Sequence, residues 1–132
     1  MKIRRGRLYV VDFNPRLKTK PGKVRPAVVV QDDLLNEAGY PSTVVMPITS
    51  KLADTDTPLR LRLPAGVAGL DRESDVLVAQ LIAVANESFR KELGALPAGL
   101  ADLLAGKLRS VLGLWGGATT TPRARPPALR PT

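Results

Sequence analysis

The run Val24-Arg25-Pro26-Ala27-Val28-Val29-Val30-Gln31 is dominated by β-branched residues, and it predicts a β-strand. A similar run, Arg7-Leu8-Tyr9-Val10-Val11-Asp12-Phe13, precedes it along the chain. Residues 14–23 between the two runs are polar and basic, with a turn signal at Pro21-Gly22. The beginning of the chain therefore predicts two strands joined by a basic loop.

Three further strands are predicted downstream, at 43–49, 59–63 and 75–84. In Leu59-Arg60-Leu61-Arg62-Leu63 the pattern has a period of two, so the three leucines should face a core and the two arginines should face solvent or a ligand. Residues 75–84 are nearly all apolar, which predicts a central strand that is buried on both faces. Gln80 is the single polar side chain in the middle of that strand.

The hydrophobic period changes to that of a helix near the end of the chain. Leucine and valine recur at helical spacing over 100–112, between Pro97 and Gly113, which suit a helix start and a helix end. Five strands followed by one helix predict a mainly β, α+β fold, a small curled antiparallel sheet with the C-terminal helix over one opening. Residues 116–132 are rich in Thr, Pro and Arg, which predicts a disordered tail after a folded domain at 1–115.

Composition excludes several classes of function. No stretch reaches about 18 uninterrupted apolar residues, so we expect no membrane span. The chain has no cysteine and no histidine, which excludes disulfides, thiolate zinc sites, thiol nucleophiles and imidazole bases. Asp54 with Asp56, and Asp71-Arg72-Glu73 with Asp75, could bind a cation, but their spacing matches no EF-hand and favours solvated loops. We therefore expect neither a metal site nor a cofactor.

The formal net charge of +8 is concentrated at the two ends of the chain. Residues 1–25 contain nine Lys or Arg and one Asp, a net +8, whereas residues 26–115 carry −3 and residues 116–132 carry +3. A concentrated positive field favours a polyanion such as nucleic acid, or an acidic protein partner. The same charge could instead serve only to keep the surface solvated.

Four residues are candidates for a nucleic-acid site. Arg25 begins a strand after a basic loop, where a fixed backbone can orient its planar guanidinium toward a phosphate. Thr49 ends the third strand, and its hydroxyl could donate to a phosphate oxygen or merely cap a turn. Phe13, beside the basic loop, could stack on a base or belong to the core. Gln80 requires hydrogen-bond partners if it is buried, a role that is most often structural.

The sequence resembles the PemK or MazF family of toxins over about residues 3–114. The most specific parts are Gly6-Arg7-Leu8 and Arg25-Pro26-Ala27-Val28-Val29, within longer similar runs at 6–15 and 22–31. The order continues through runs at 47–50, 76–80, 93–94 and 112–114.

The resemblance implies an SH3-like antiparallel β-barrel with helices, a homodimer, and a cytoplasmic, sequence-selective endoribonuclease that is held in check by an acidic antitoxin protein. It implies that Arg25 and Thr49 carry catalysis, in which a ribose 2′-hydroxyl of single-stranded RNA attacks its own 3′-phosphate without a metal. Arginine stays protonated, so we expect Arg25 to hold the phosphate and stabilise its charge, which leaves the general base open. The expected RNA-binding residues are Phe13, Lys18, Lys20, Lys23 and Gln80.

Two other functions remain open at this point. Many members of the family have Asp-Gln-hydrophobic-Arg-Thr where this chain has Ala79-Gln80-Leu81-Ile82-Ala83. The lost charges fit a catalytically degraded module that grips RNA or an antitoxin without cutting. A structural or regulatory small barrel would bind neither RNA nor an acidic partner. Cleavage of a mixed-sequence RNA by the pure protein, abolished in Arg25→Ala, separates these alternatives.

Overall fold

The structure, a computed structural model, describes residues 1–13, 23–54 and 58–114. The predicted tail at 116–132 lies outside these residues. None of the helices in the described part is both long and apolar enough to cross a membrane. Short 3₁₀ turns connect the last strands at Val67–Gly69, Val78–Gln80 and Asn86–Ser88. The strands and helices are, in chain order, β1 (Arg7–Asp12), β2 (Val24–Val29), α1 (Asp33–Glu37), β3 (Ser42–Thr49), β4 (Arg60–Leu63), β5 (Ser74–Leu77), β6 (Ile82–Ala85), β7 (Phe89–Ala95) and α2 (Ala98–Leu112).

The strands form one antiparallel sheet in which β3 pairs with three other strands. Its order is β4-β5-β3-β2-β1-β7, and β6 also pairs with β3. One side of β3 is shared, because its first half pairs with β6 and its last two residues pair with β5. The prediction of a mainly antiparallel β fold with a C-terminal helix is confirmed, although the sheet formed by the described strands does not close into a complete barrel.

Both faces of the three central strands are buried, which explains their high content of apolar β-branched residues. One face, with Leu8, Val28 and Met46, packs against the β4–β5 hairpin and helix α2. The other face carries a second cluster built around Tyr9 and Val45. Helix α2 contributes one apolar stripe to the first cluster, consisting of Leu100, Ala101, Leu104, Leu108 and Val111.

The prediction of one buried strand at 75–84 is wrong. The register on β3 shifts by three residues between its pairings with β5 and with β6. The 3₁₀ turn at Val78–Gln80 takes up these inserted residues. Val78 remains buried in the core, but Gln80 is turned out to the surface. Gln80 is therefore not a buried structural amide.

Two elements and one core position also differ from the sequence-based expectations. Strand β7, Phe-Arg-Lys-Glu-Leu-Gly-Ala, has little β-branched character and forms because it pairs with β1 at the end of the sheet. Helix α1 lies between the second and third predicted strands, where no helix was predicted, and the Asp32 side chain caps it by accepting from the Leu34 N–H at 2.8 Å. Leu59 lies outside β4 and is 50% exposed, whereas Leu61 and Leu63 are buried as predicted.

Candidate active site

Two clefts meet at Arg25 on the surface of the sheet. Lys23 and Arg25 line both clefts. The first cleft has a volume of about 600 Å³. Its other lining residues include Thr49, Ser50, Lys51, Leu70, Asp71 and Arg72. The second cleft has a volume of about 410 Å³, and its other lining residues are Phe13, Pro47, Gln80, Leu81 and Ile82.

Strand pairing holds the backbone of Arg25 at this junction. Arg25 lies opposite Val11 in the β1–β2 ladder. A hydrogen bond of 2.9 Å from the Phe13 N–H to the Lys23 carbonyl oxygen lies just beyond this ladder. Among the described residues, none forms a hydrogen bond or an ion pair with the Arg25 guanidinium. Its donors are therefore available to an anion in either cleft.

Thr49, the last residue of β3, forms part of one wall of the first cleft. Its Oγ1 accepts a hydrogen bond of 3.1 Å from the Lys51 N–H, which is the turn-capping role expected for a threonine at a strand end. A hydroxyl can accept and donate at the same time, so the Thr49 proton remains available to a ligand. Capping and ligand binding are thus compatible at this residue.

A buried carboxylate, that of Asp75, lies behind Thr49, and its burial differs from the prediction made from the sequence. Asp75 was expected in a solvated loop, but it is buried in β5, with its side chain only 2% exposed. It accepts from Arg62 Nε at 2.6 Å, from Arg60 Nη1 at 3.0 Å and from the Ala53 N–H at 3.2 Å. Arg60 and Arg62 lie on the side opposite the buried leucines, as predicted, with 30% and 43% of their side chains exposed, but both also bind a carboxylate of the protein. The alternation of Arg60 and Arg62 could have predicted a carboxylate partner, because it places two cations on one face of a strand.

The electrostatics of Asp75 follow from these contacts. Burial alone would raise the pKa of its carboxyl group, but the hydrogen bonds from Arg62, Arg60 and the Ala53 N–H outweigh it, and the pKa lies below its usual value. The same contact with Asp75 raises the pKa of the Arg62 guanidinium. Asp75 is therefore a permanently charged part of the structure near neutral pH.

The opposite wall of the first cleft is attached to β7 by a close approach of two backbones. Gly69 has a φ of +80°, and a Cβ on Gly94 would lie 2.8 Å from the carbonyl carbon of Ala68. Glycine at both positions lets the 3₁₀ turn at Val67–Gly69 lie directly on β7. Leu70, which follows this turn, is buried in the first core cluster and begins the wall.

The second cleft has a more apolar lining. Phe13 and Ile82 contribute apolar surface, and the side chain of Ile82 is 46% exposed. Phe13 also packs against the second core cluster, so it serves the core and the cleft together. Gln80 is exposed at this cleft because of the three-residue insertion opposite β3. An aromatic ring, an aliphatic side chain and an amide are the groups that recognise an unstacked base.

The sequence as a whole matches the family described as PemK-like, MazF-like toxin of type II toxin-antitoxin system, over residues 4–112. The chain belongs to this family. Its relatives include endoribonuclease MazF6 of Mycobacterium tuberculosis, 32% identical over 114 residues, which cover 86% of this chain and all of that protein. Endoribonuclease EndoA of Bacillus subtilis is 31% identical over 81 residues, 61% of this chain and 69% of EndoA.

A solved structure of a family member has the same fold. The MazE–MazF complex from Deinococcus radiodurans contains a chain that superposes with a TM-score of 0.70 at 26% identity, covering 87% of this chain and all of that one. The resemblance noted from the sequence is confirmed by both kinds of similarity. The match ends at residue 112, so the family assignment does not extend to 116–132.

The structure brings together most of the residues that the sequence singled out in this toxin. Arg25 and Thr49 line the first cleft, and Phe13, Lys23 and Gln80 line the second. Lys18 and Lys20 lie outside the described residues. Lys51 and Arg72 in the first cleft, and Ile82 in the second, were not predicted from the sequence. Within the described part of the chain, no three His, Cys, Asp or Glu side chains form a group that could hold a metal ion.

Proposed function

We propose that this protein is the endoribonuclease toxin of a type II toxin–antitoxin pair, and that it cleaves single-stranded RNA in a sequence-selective manner. The membership of the chain in the PemK-like, MazF-like family supports the toxin and endoribonuclease assignment. The observation that carries the site assignment is the junction of two clefts at Arg25, with the Thr49 hydroxyl on the wall of one of them.

The reaction that we propose uses a nucleophile from the substrate. The ribose 2′-hydroxyl loses its proton and its oxygen forms a bond to the adjacent phosphorus. The bond from phosphorus to the 5′-oxygen breaks, and that oxygen takes up a proton. The products are a 2′,3′-cyclic phosphate and a 5′-hydroxyl. Arg25 donates in bidentate fashion to the phosphate and stabilises the charge that grows in the transition state. The Thr49 hydroxyl donates a hydrogen bond to the same phosphate. No metal ion takes part in this proposal, because the substrate supplies the nucleophile and arginine supplies the positive charge.

The two clefts suggest how the RNA runs past Arg25. The scissile phosphate lies at the junction, and its two flanking nucleosides occupy one cleft each. Lys51 and Arg72 give the first cleft positive charge for the backbone. In the second cleft, Phe13 and Ile82 hold a base by apolar contact while the Gln80 amide reads its edge. Lys23 adds to the positive field along this path. Lys18 and Lys20 are further RNA-binding residues in this proposal.

The partners that we propose are a second copy of the chain and an acidic antitoxin. A solved structure of the same fold, at 16% identity, is an endoribonuclease from a mycobacterial species in complex with its cognate antitoxin. The net +8 of residues 1–25 favours such an acidic partner. Exposed apolar side chains on and after α2, Leu103, Leu112 and Leu114, are available for association. Light scattering at working concentration should return about twice the 14.1 kDa of one chain. The folded toxin domain that we propose is 1–115, acting in the cytoplasm.

The decisive experiment digests a long RNA with the pure protein and sequences the 5′ ends that are left. We expect cuts at one short motif, 5′-hydroxyl ends, and undiminished cleavage in excess EDTA. Replacing the ribose 5′ to the scissile phosphate by its 2′-deoxy form should stop cleavage while binding weakens only modestly. Cutting that requires a divalent ion, or cutting of the deoxy-substituted strand, would overturn the mechanism. Tight RNA binding without any cleavage would instead favour the degraded binding module, and no RNA binding at all would favour the structural barrel.

A further inference from the structure

A network of ionic hydrogen bonds ties the wall of the first cleft to the β4–β5 hairpin. Arg62 donates from Nε to Asp75 and from Nη2 to the Ala53 carbonyl oxygen, at 2.6 and 2.7 Å. Arg60 donates from one atom, Nη1, to Asp75 at 3.0 Å and to the Lys51 carbonyl oxygen at 2.9 Å. We call these three side chains, Arg60, Arg62 and Asp75, the Asp75 clamp. The clamp holds the backbone of the loop that follows Thr49 at two carbonyls and one N–H.

The clamp and the candidate catalytic threonine occupy one row across three strands. Thr49 of β3 pairs with Asp75 of β5, and Asp75 pairs with Arg62 of β4. Directly paired residues point to the same face of a sheet, so these three side chains project on one side. The adjacent row, Ile48, Val76 and Leu61, projects into the core on the other side. The core therefore fixes the position of each strand, while the neighbouring row carries polar groups, of which Thr49 lines the cleft.

The contacts lead from Asp75 to the Thr49 hydroxyl in two steps. Asp75 and Arg60 hold the loop backbone at Ala53 and Lys51. The Lys51 N–H in turn donates to Thr49 Oγ1 at 3.1 Å. The placement of the Lys51 backbone thus determines where the Thr49 hydroxyl oxygen is held. A displacement of the order of 1 Å at such a group can cost about 100-fold in rate.

We propose that Asp75, acting through Arg60, Arg62 and the loop that they hold, is a positioning residue for the Thr49 hydroxyl in RNA cleavage. The proposal rests on the proposed function, since it assigns a role within the same site. This role gives a reason for a buried carboxylate beside the cleft. Desolvation of the charge is costly there, and an apolar residue would stabilise the sheet equally well. The buried charge holds together cationic groups and backbone groups that an apolar side chain could not attach.

The test compares Asp75→Asn with Val76→Ala, its neighbour in β5. Val76 is fully buried and belongs to the core row, so Val76→Ala weakens the same strand and leaves the clamp intact. Single-turnover cleavage of an RNA oligonucleotide gives the rate, and titration gives the affinity. NMR scalar couplings give the χ1 rotamer populations of Thr49 in the protein without RNA.

We expect Asp75→Asn to lower the cleavage rate by about tenfold or more, while RNA affinity changes by less than about threefold. The Thr49 couplings should change from one rotamer to an average of several. Val76→Ala should keep the rate within about twofold at a temperature where both variants are folded. Equal loss of rate in the two variants, or an unchanged Thr49 rotamer in Asp75→Asn, would overturn the proposal.

A second variant keeps the test decisive if Asp75→Asn does not fold. Arg62 is 43% exposed, so Arg62→Lys keeps the charge at little structural cost but cannot make the Nε and Nη2 bonds together. It should show the same pattern of reduced rate and averaged Thr49 rotamers. If the unaltered protein cleaves no RNA, the proposed function fails, and the Thr49 couplings alone still decide whether the clamp holds this side chain.

Discussion

Thr49 and Asp75 lie directly opposite each other where β3 pairs with β5, yet one borders an open cleft and the other is buried under two arginines. A carboxylate in such a position requires charged partners, because an unpaired buried charge costs several kcal/mol. Arg60 and Arg62 provide them and at the same time bind the loop after Thr49. The candidate active site therefore lies next to an ionic cluster. Protonation of Asp75, or its substitution, should lower the stability of the protein and disturb the site.

The first prediction concerns the stability of Asp75→Asn as a function of pH. The pKa of Asp75 is lower in the folded protein than its ordinary value near 4, so the charged form stabilises the native state above about pH 4. At pH 7 the free energy of unfolding of the variant should be lower by about 2 kcal/mol. The loss is no larger because both arginines are partly exposed, so that solvent screens their charges. This difference should shrink as the pH falls below about 4, because the unaltered protein then loses the contribution of the ionised carboxyl group.

Urea unfolding between pH 3 and pH 7 measures this difference. Val76→Ala is the control, because it should also cost about 2 kcal/mol by removing buried methyl groups, yet it removes no proton-binding site. Its difference from the unaltered protein should therefore stay constant over the same range. A pH-independent difference for Asp75→Asn would contradict the stabilising role of the ionised carboxylate.

The second prediction concerns the chemistry of the guanidinium at the junction of the clefts. Arg25→Ala should lower the cleavage rate by about 100-fold or more, since a donor to the transition-state charge is lost. Arg25→Lys should be nearly as damaging, because a point charge cannot reproduce two parallel hydrogen bonds to a phosphate. Single-turnover rates on one RNA oligonucleotide test both variants. Arg109→Lys, on the exposed side of α2, is the matched control and should retain full activity. Retention of most activity in Arg25→Lys would reject the assigned role.

The strands that the sequence predicted well are those whose pattern reflects burial. The segments at 7–13, 24–31 and 43–49 became β1, β2 and β3, because the central strands of the sheet are covered on both faces. The helix at 100–112 is confirmed as well, within α2 and ending at Gly113 with a φ of +71°. Arg25 and Thr49 were selected together from strand ends, and the antiparallel pairing of β2 with β3 brings both to the first cleft.

The missed features depend on pairing partners rather than on local preference. Strand β7 is polar and forms because β1 offers an open edge. The break at Val78–Gln80 arises because β3 pairs at one end with β5 and at the other with β6, which no period within 75–84 can reveal. Asp75 was misplaced for the same reason, since its two cationic partners belong to another strand. Long-range partners thus decide the elements that shape the clefts.

The third prediction tests the backbone contact beneath the first cleft. A Cβ on Gly94 would lie 2.8 Å from the carbonyl carbon and 2.9 Å from the carbonyl oxygen of Ala68, and backbone atoms cannot move aside at little cost. Gly94→Ala should therefore lower the free energy of unfolding by about 1–3 kcal/mol. Gly106→Ala is the control, because a Cβ there meets nothing within 4 Å and alanine favours a helix by about 1 kcal/mol. Thermal unfolding should show opposite shifts, and equal shifts would contradict the close contact.

The fourth prediction concerns residues 119–132, which lie outside the described part of the chain. Their sequence has no apolar periodicity that could be buried in a core. Deleting them should leave the melting temperature unchanged within experimental error. Calorimetry of the full and shortened chains measures this directly. A lower melting temperature in the shortened chain would show that the segment packs against the domain and would move the proposed boundary beyond residue 115.

The fifth prediction separates the two roles of Phe13, in the core and in the second cleft. Phe13→Leu keeps apolar packing against the second core cluster but removes the aromatic ring. Because stacking of one base on an aromatic ring contributes about 1–3 kcal/mol, RNA affinity should fall by roughly 5- to 150-fold. The single-turnover rate at saturating RNA should change little, since the ring does not contact the reacting phosphate in this proposal. The melting temperature should also stay within a few degrees of that of the unaltered protein.

Phe13→Ala is the companion variant for this test, because it removes the ring and the apolar packing together. It should lose affinity as Phe13→Leu does and lose stability in addition, by about 3 kcal/mol or less for a half-buried side chain. Fluorescence anisotropy with a labelled, non-cleavable 2′-deoxy-substituted RNA gives the affinities without turnover. If Phe13→Leu binds this RNA as tightly as the unaltered protein, the ring belongs to the core alone, and base recognition in the second cleft falls to Gln80 and Ile82.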